Sequence, residues 1–236
     1  MRIETVTFAL GALLFILPGT ALAQVKPAAP DLAKCGKYRL EEGDPELQRT
    51  KPLPVPAALR PAMAANRDFV AVTTLSGSTF CMISREWESI SPPTLSADKR
   101  FLGFTWYGYE AGGYILVDRV GKGAQIDTGA RPVPSPSGNR LASIEWSESG
   151  FGSLNGILVL GVEPTRLREL ARLSDGLKMH DDWRIDRWVG DACFEVSAER
   201  WTEDRSAAKP QRERHAVRAG PKGWTFGAAG SACPKA

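Results

Sequence analysis

Between residues 96 and 161 the chain writes one pattern twice. The first copy reads Ser96-Ala-Asp-Lys-Arg-Phe-Leu-Gly-Phe-Thr-Trp106, then a Gly/Tyr-rich loop, then Tyr114-Ile-Leu-Val-Asp118. The second reads Ser135-Pro-Ser-Gly-Asn-Arg-Leu-Ala-Ser-Ile-Glu-Trp146, then a Gly/Ser-rich loop, then Ile157-Leu-Val-Leu160. Setting Arg100 on Arg140 and Trp106 on Trp146 gives a spacing of about 40 residues. Leu102, Phe104 and Trp106 then fall on Ala142, Ile144 and Trp146, while Gly103 and Thr105 fall on Ser143 and Glu145. Alternation of this kind is the pattern of a strand with one face buried. Residues 114–117 and 157–160 are continuous apolar runs, as expected of central strands covered on both faces.

The flanking sequence extends the all-β pattern. Residues 69–74 and 79–83 are two compact runs across a Ser76-Gly-Ser78 turn, which predicts a hairpin. Residues 183–189 and 192–196 predict another across Gly190-Asp191, and residues 212–218 and 224–226 a last one. Leu167, Leu170 and Leu173 have helical spacing, but the surrounding repeat favours an outer strand. Residues 203–211 are polar and predict a loop. Residues 24–61 are rich in Pro and Ala, with proline at positions 52, 54 and 56, which prevents a ladder-forming strand and favours an extended path. A short helix fits residues 60–66. The expected organisation is a signal peptide over 1–23, an irregular Pro/Ala-rich arm over 24–67, and a β-repeat domain over 68–236.

The N-terminal segment has the layout of an export signal. Arg2 precedes an apolar run over residues 8–17, Pro18-Gly19 breaks it, and Ala21-Leu22-Ala23 offers a cleavage site before Gln24. The expected location is the bacterial periplasm or the medium, with no stable membrane span in the mature chain. The cysteines, Cys35, Cys81, Cys193 and Cys233, are even in number and lack C-x-x-C spacing, which points to disulfides rather than zinc. Three pairings are open. Cys35–Cys81 with Cys193–Cys233 is favoured, because it pins each end of the chain to a nearby strand.

The segment Pro134-Ser-Pro-Ser-Gly-Asn-Arg-Leu-Ala142 resembles the S-P-D-G-K-R-[IL]-A motif of the WD40-like repeat in TolB-type β-propellers. Ser96-Ala-Asp-Lys-Arg-Phe-Leu102 resembles it less well, lacking both the Pro and the Gly. The resemblance spans roughly residues 68–200 and implies a small or incomplete β-propeller-like array of antiparallel sheets. The chain holds about four such units, the low limit for a closed ring. An incomplete propeller, a twisted stack of small sheets closed by the arm, and a β-sandwich are the alternatives. The motif is a turn signature, so it implies architecture and not activity.

Catalytic patterns are sparse. Ser96-x-x-Lys99 and Ser206-x-x-Lys209 match the S-x-x-K nucleophile motif, but no S-D-N or K-T-G partner accompanies them. His180 and His215 are the two histidines; either could serve a Ser/His/Asp triad, and a hydrolase site near His180 is the alternative function. His180-Asp181-Asp182 cannot easily converge on a metal from an extended strand. No cofactor or metal is expected. The formal net charge of +3 and the interrupted basic stretch 205–218 argue against nucleic acid. Most of the seven tryptophans are expected to pack between strands rather than form a sugar-stacking platform.

The loops after Trp106 and Trp146 are better candidates. Tyr107, Tyr109, Glu110 and Phe151 lie on Gly-rich segments at matching places in the repeat, with Glu145 and Glu148 nearby. Adaptable aromatic loops suit recognition. The expectation is an exported, non-enzymatic binding or scaffolding module whose partner is an envelope protein or a glycan.

Overall fold

The computed structural model describes residues 29–40, 50–147, 150–177, 180–200 and 212–234, without the side chains of His180, Asp181 and Arg200. Four antiparallel sheets follow one another along the chain. The first holds β1 (Met63–Ala65), β2 (Phe69–Thr73) and β3 (Thr79–Ile83). The second holds β4 (Ser89–Ile90), β5 (Thr94–Leu95), β6 (Phe101–Tyr107), β7 (Gly112–Asp118) and β8 (Ala124–Asp127). The third runs β9 (Val133–Pro134), β10 (Arg140–Glu145), β11 (Gly156–Glu163) and β12 (Arg166–Leu173). The fourth runs β13 (His180–Val189), β14 (Cys193–Arg200), β15 (Arg212–Gly220) and β16 (Gly223–Phe226).

The three expected hairpins form, and the leucine-rich segment with two readings is the edge strand β12. Residues 60–66 do not make a helix. Met63, buried at 0% exposure, instead pairs with Val72 and starts the first sheet as β1. A short 3-10 turn, Ala57–Leu59, precedes it. The signal segment, Ser206, Lys209 and the polar stretch 203–211 lie outside the described residues.

The sheets stack in chain order: the second and third each share one face with the sheet before and the other with the sheet after, while the first and fourth share one face only. Val70, Val72 and Met82 meet Leu102, Phe104, Ile115 and Val117 between the first and second sheets. Tyr114 and Leu116 meet Leu141, Leu158 and Leu160 between the second and third. Ala142, Ile144, Ile157 and Val159 meet Phe194, Val196 and Val217 between the third and fourth. This explains the continuous apolar runs: β7 and β11 are central strands of sheets covered on both faces. Among the described residues the stack does not close into a ring.

The two end faces are covered from the termini. The 3-10 helix Leu32–Lys37, capped by Asp31, lays Cys35 against Phe69, Ala71 and Cys81, and Cys35 is bonded to Cys81 with Cα atoms 5.5 Å apart. At the other end Cys233 packs on Cys193 and Ala216 and is bonded to Cys193, Cα atoms 5.9 Å apart. The favoured pairing is the one found. Two disulfides fit an oxidising compartment. No helix among the described residues is long and apolar enough to cross a membrane.

The repeat has a different register from the one read off its arginines and tryptophans. Leu95 pairs with Leu102 across one turn, and Pro134 with Leu141 across the other. Ser96 Oγ accepts from Phe101 N at 2.8 Å, and Ser135 Oγ from Arg140 N at 3.2 Å. Lys99 and Gly138 hold the matching left-handed position, with φ of 61° and 74°. Ser96 therefore matches Ser135 and Leu102 matches Leu141, one residue short of the arginine spacing. Because strand side chains alternate, that residue exchanges the faces. Trp106 packs toward the first sheet and Trp146 toward the fourth. They are not equivalents; Trp146 stands in the place of Tyr107.

Candidate functional site

Equivalent loops of the second and third sheets end up side by side. The first is tight: Gly108 N donates to Ala111 O at 2.8 Å, and Glu110 takes φ 55°. That geometry turns Tyr109 outward, 62% exposed, beside Tyr107 at 49%. The second loop is longer and stapled by Asn155. Its Oδ1 accepts from Ser147 N at 3.0 Å, and its Nδ2 donates to Gly150 O and Gly152 O at 3.1 and 2.9 Å. Glu145 Oε2 accepts from Leu154 N at 2.7 Å, so this carboxylate organises the loop. Phe151 is left 57% exposed.

A parallel bridge between Gly112 and Gly152 joins the two loops. The approach is close: a Cβ on Gly113 would overlap the Ser153 hydroxyl. Tyr107, Tyr109 and Phe151 are thus exposed rings on two joined loops, with the exposed Glu110 between them in the chain. Glu148, named beside them from the sequence, lies outside the described residues.

The other candidates take structural places. Ser96 Oγ donates to Asp98 at 2.5 Å and accepts from Phe101 N, so this serine braces a turn. The Ser96 hydroxyl, and then the Arg100 amide, hold the Asp98 carboxyl below the usual range. His215 is 4% exposed in the core between the third and fourth sheets, stacked on Phe226 with ring centroids 4.5 Å apart. Its Nδ1 is 2.9 Å from Gly227 O and its Nε2 3.0 Å from Glu213 Oε1. Such burial keeps this imidazole from any substrate. His180 opens β13, and Asp182 beside it accepts from Arg212 Nη1 at 3.1 Å. Among the described residues no three metal-ligating side chains converge.

The tryptophans pack. Trp87 stacks on Trp106 at 5.9 Å, while Trp183, Trp188 and Trp224 line the core of the third and fourth sheets. Trp201 is outside the described residues. Arg212 donates to Glu199 and Arg218 to Ala232 O, and the part of the basic stretch before residue 212 lies outside the described residues. What the sequence reading missed is a cleft between the second and third sheets, lined by Tyr114 and Arg131 among others. No local motif marks it, because its walls come from segments that meet only when the sheets stack.

No family model matches the chain, and no curated protein matches it.

Proposed function

We propose that this chain is an exported binding module, released by cleavage near Ala23, that recognises a protein or glycan of the cell envelope through its two joined loops. The observation that carries the reading is the Gly112–Gly152 bridge, which brings loops bearing Tyr107, Tyr109 and Phe151 together while leaving all three rings exposed. Isolated exposed apolar residues need no explanation, but rings gathered on adjacent loops offer contact area at low entropic cost. Tyrosine carries a polar tip on an apolar body and so suits a surface that is wet until bound. Glu110 adds a carboxylate at the rim.

The test compares wild type with Tyr109→Ala plus Phe151→Ala, using cosedimentation with purified cell-wall glycan and affinity capture from envelope protein fractions. Both side chains are exposed, so the variant should fold normally. The expected result is a loss of affinity of about tenfold or more, as for aromatic anchor residues. Equal retention of every partner by both proteins would remove these loops from the function.

A further inference from the structure

The second and third sheets do not pack flush along their whole length. Between them lies a cleft of about 410 Å³, which shares Thr94, Gly103, Tyr114 and Arg131 in its lining with a second chamber of about 380 Å³. This is the size range of small-ligand sites. The floor is apolar: Phe101 and Leu116 come from the second sheet and Leu141 from the third. Tyr114 lies across Gly103, where any Cβ would overlap its hydroxyl, so the ring can drop against the strand and leave the space above it. The short edge strands β5 and β9 form the lips, and Pro132 and Pro134 line the second of them.

The charges in the lining are asymmetric. Asp98 is already committed to Ser96 Oγ and Arg100 N within its own turn. Arg131 is exposed at the rim of both chambers, and among the described residues it has neither a hydrogen bond nor an ion pair. A guanidinium at the mouth of an apolar cleft is suited to a carboxylate, which it can hold in a bidentate fork. We propose that this cleft binds a small amphipathic carboxylate, its head on Arg131 and its apolar tail on Phe101, Leu116 and Leu141. The site is separate from the aromatic loops and does not depend on their function.

Octanoate is the probe, measured by isothermal titration calorimetry on the mature chain. Octanol tests the tail alone, and octyltrimethylammonium tests whether Asp98 rather than Arg131 is what the cleft reads. Arg131→Gln removes the charge from an exposed side chain, and Thr94→Trp fills the cleft from an exposed lip position. Unchanged circular dichroism and melting temperature establish that both variants are folded. The expected result is saturable octanoate binding, weakened about tenfold or more by Arg131→Gln. Octanol should bind wild type and Arg131→Gln alike, and Thr94→Trp should abolish binding of both probes. Tyr109→Ala plus Phe151→Ala should leave octanoate binding unchanged. The proposal is overturned by any of four results: no saturable binding, an Arg131→Gln affinity within about twofold of wild type, preference for the cationic probe, or loss of octanoate in the loop variant.

Discussion

Lys99 and Gly138 occupy the same place in two copies of one turn, and only one of them is glycine. At φ 61° a lysine has its Cβ crowded against the backbone, whereas Gly138 at 74° does not. Lys99→Gly should therefore raise stability by roughly 0.5 kcal/mol, relief of strain exceeding the entropy that glycine adds to the unfolded chain. Gly138→Ala should lower it by about 1 kcal/mol, because open space around the position leaves conformation as the only penalty. Urea melts of the two variants should move in opposite directions, and movement together would refute the equivalence of the turns. Asp98 adds a pH dependence. Its carboxyl is depressed by the Ser96 hydroxyl and the Arg100 amide, so its contribution is complete above the unfolded value of about 3.9. That contribution is lost as the pH falls through the lower folded value. Asp98→Asn should flatten the acid limb of stability below about pH 4, and parallel wild-type and variant curves would count against it.

At the scale of strands, the repeat was legible as a pattern but not in its register. Hairpins, central strands and turns could all be read, because apolar alternation and turn residues are local properties. The difference between Trp106 and Trp146 could not, since two residues of the same type one position apart in the repeat serve opposite faces. The serines at 96 and 135 held the better clue, because their hydroxyls brace the turn that sets the register. The loop pair was legible for the same reason as the hairpins. The cleft was not, because Phe101 and Leu116 meet Leu141 only across two sheets. One further device is confined to the second sheet. Arg100 Nε and Nη2 donate to Asp118 Oδ1 and Oδ2 at 2.9 and 2.8 Å, with both side chains at least nine-tenths buried. The third sheet has Asn139 and Gly161 in these places. Arg100→Met or Asp118→Leu strands the remaining polar partner, at a cost of about 3–5 kcal/mol for a buried pair. Arg100→Met with Asp118→Leu should cost less than the two single changes together, a coupling that a double-mutant cycle in urea would measure. Simple additivity would show that the pair does not act as a unit.

Over the whole molecule, four sheets in series leave two faces without a neighbouring sheet, and each is closed by a disulfide-bound terminal segment. In arrays of this kind stability is approximately a sum of unit and neighbour terms, and the end units need covers. Asp31 N donates to Thr79 Oγ1 at 3.1 Å and Cys35 is fully buried, so the N-terminal helix serves as the outer layer of the first sheet. Cys233 N donates to Glu195 Oε1 at 3.1 Å, and Ala216 N donates to Ser231 Oγ at 2.9 Å, which seats the C-terminal tail on the fourth. The bridged residues are 46 and 40 positions apart, and the chain-entropy model gives each bond about 4 kcal/mol. The location of the loss distinguishes the array from a single cooperative core. Cys35→Ala with Cys81→Ala should remove hydrogen-exchange protection from β1, β2 and β3 while the third and fourth sheets keep theirs. Cys193→Ala with Cys233→Ala should do the reverse, releasing β14 and β15 and sparing the first and second sheets. Local opening of this kind is what nearest-neighbour packing dictates, because no core residue of the first sheet touches the fourth in the shared clusters. If either pair of substitutions lowered protection evenly across all four sheets, the stack would be folding as one unit, and the terminal segments would be stabilising the whole rather than capping its ends.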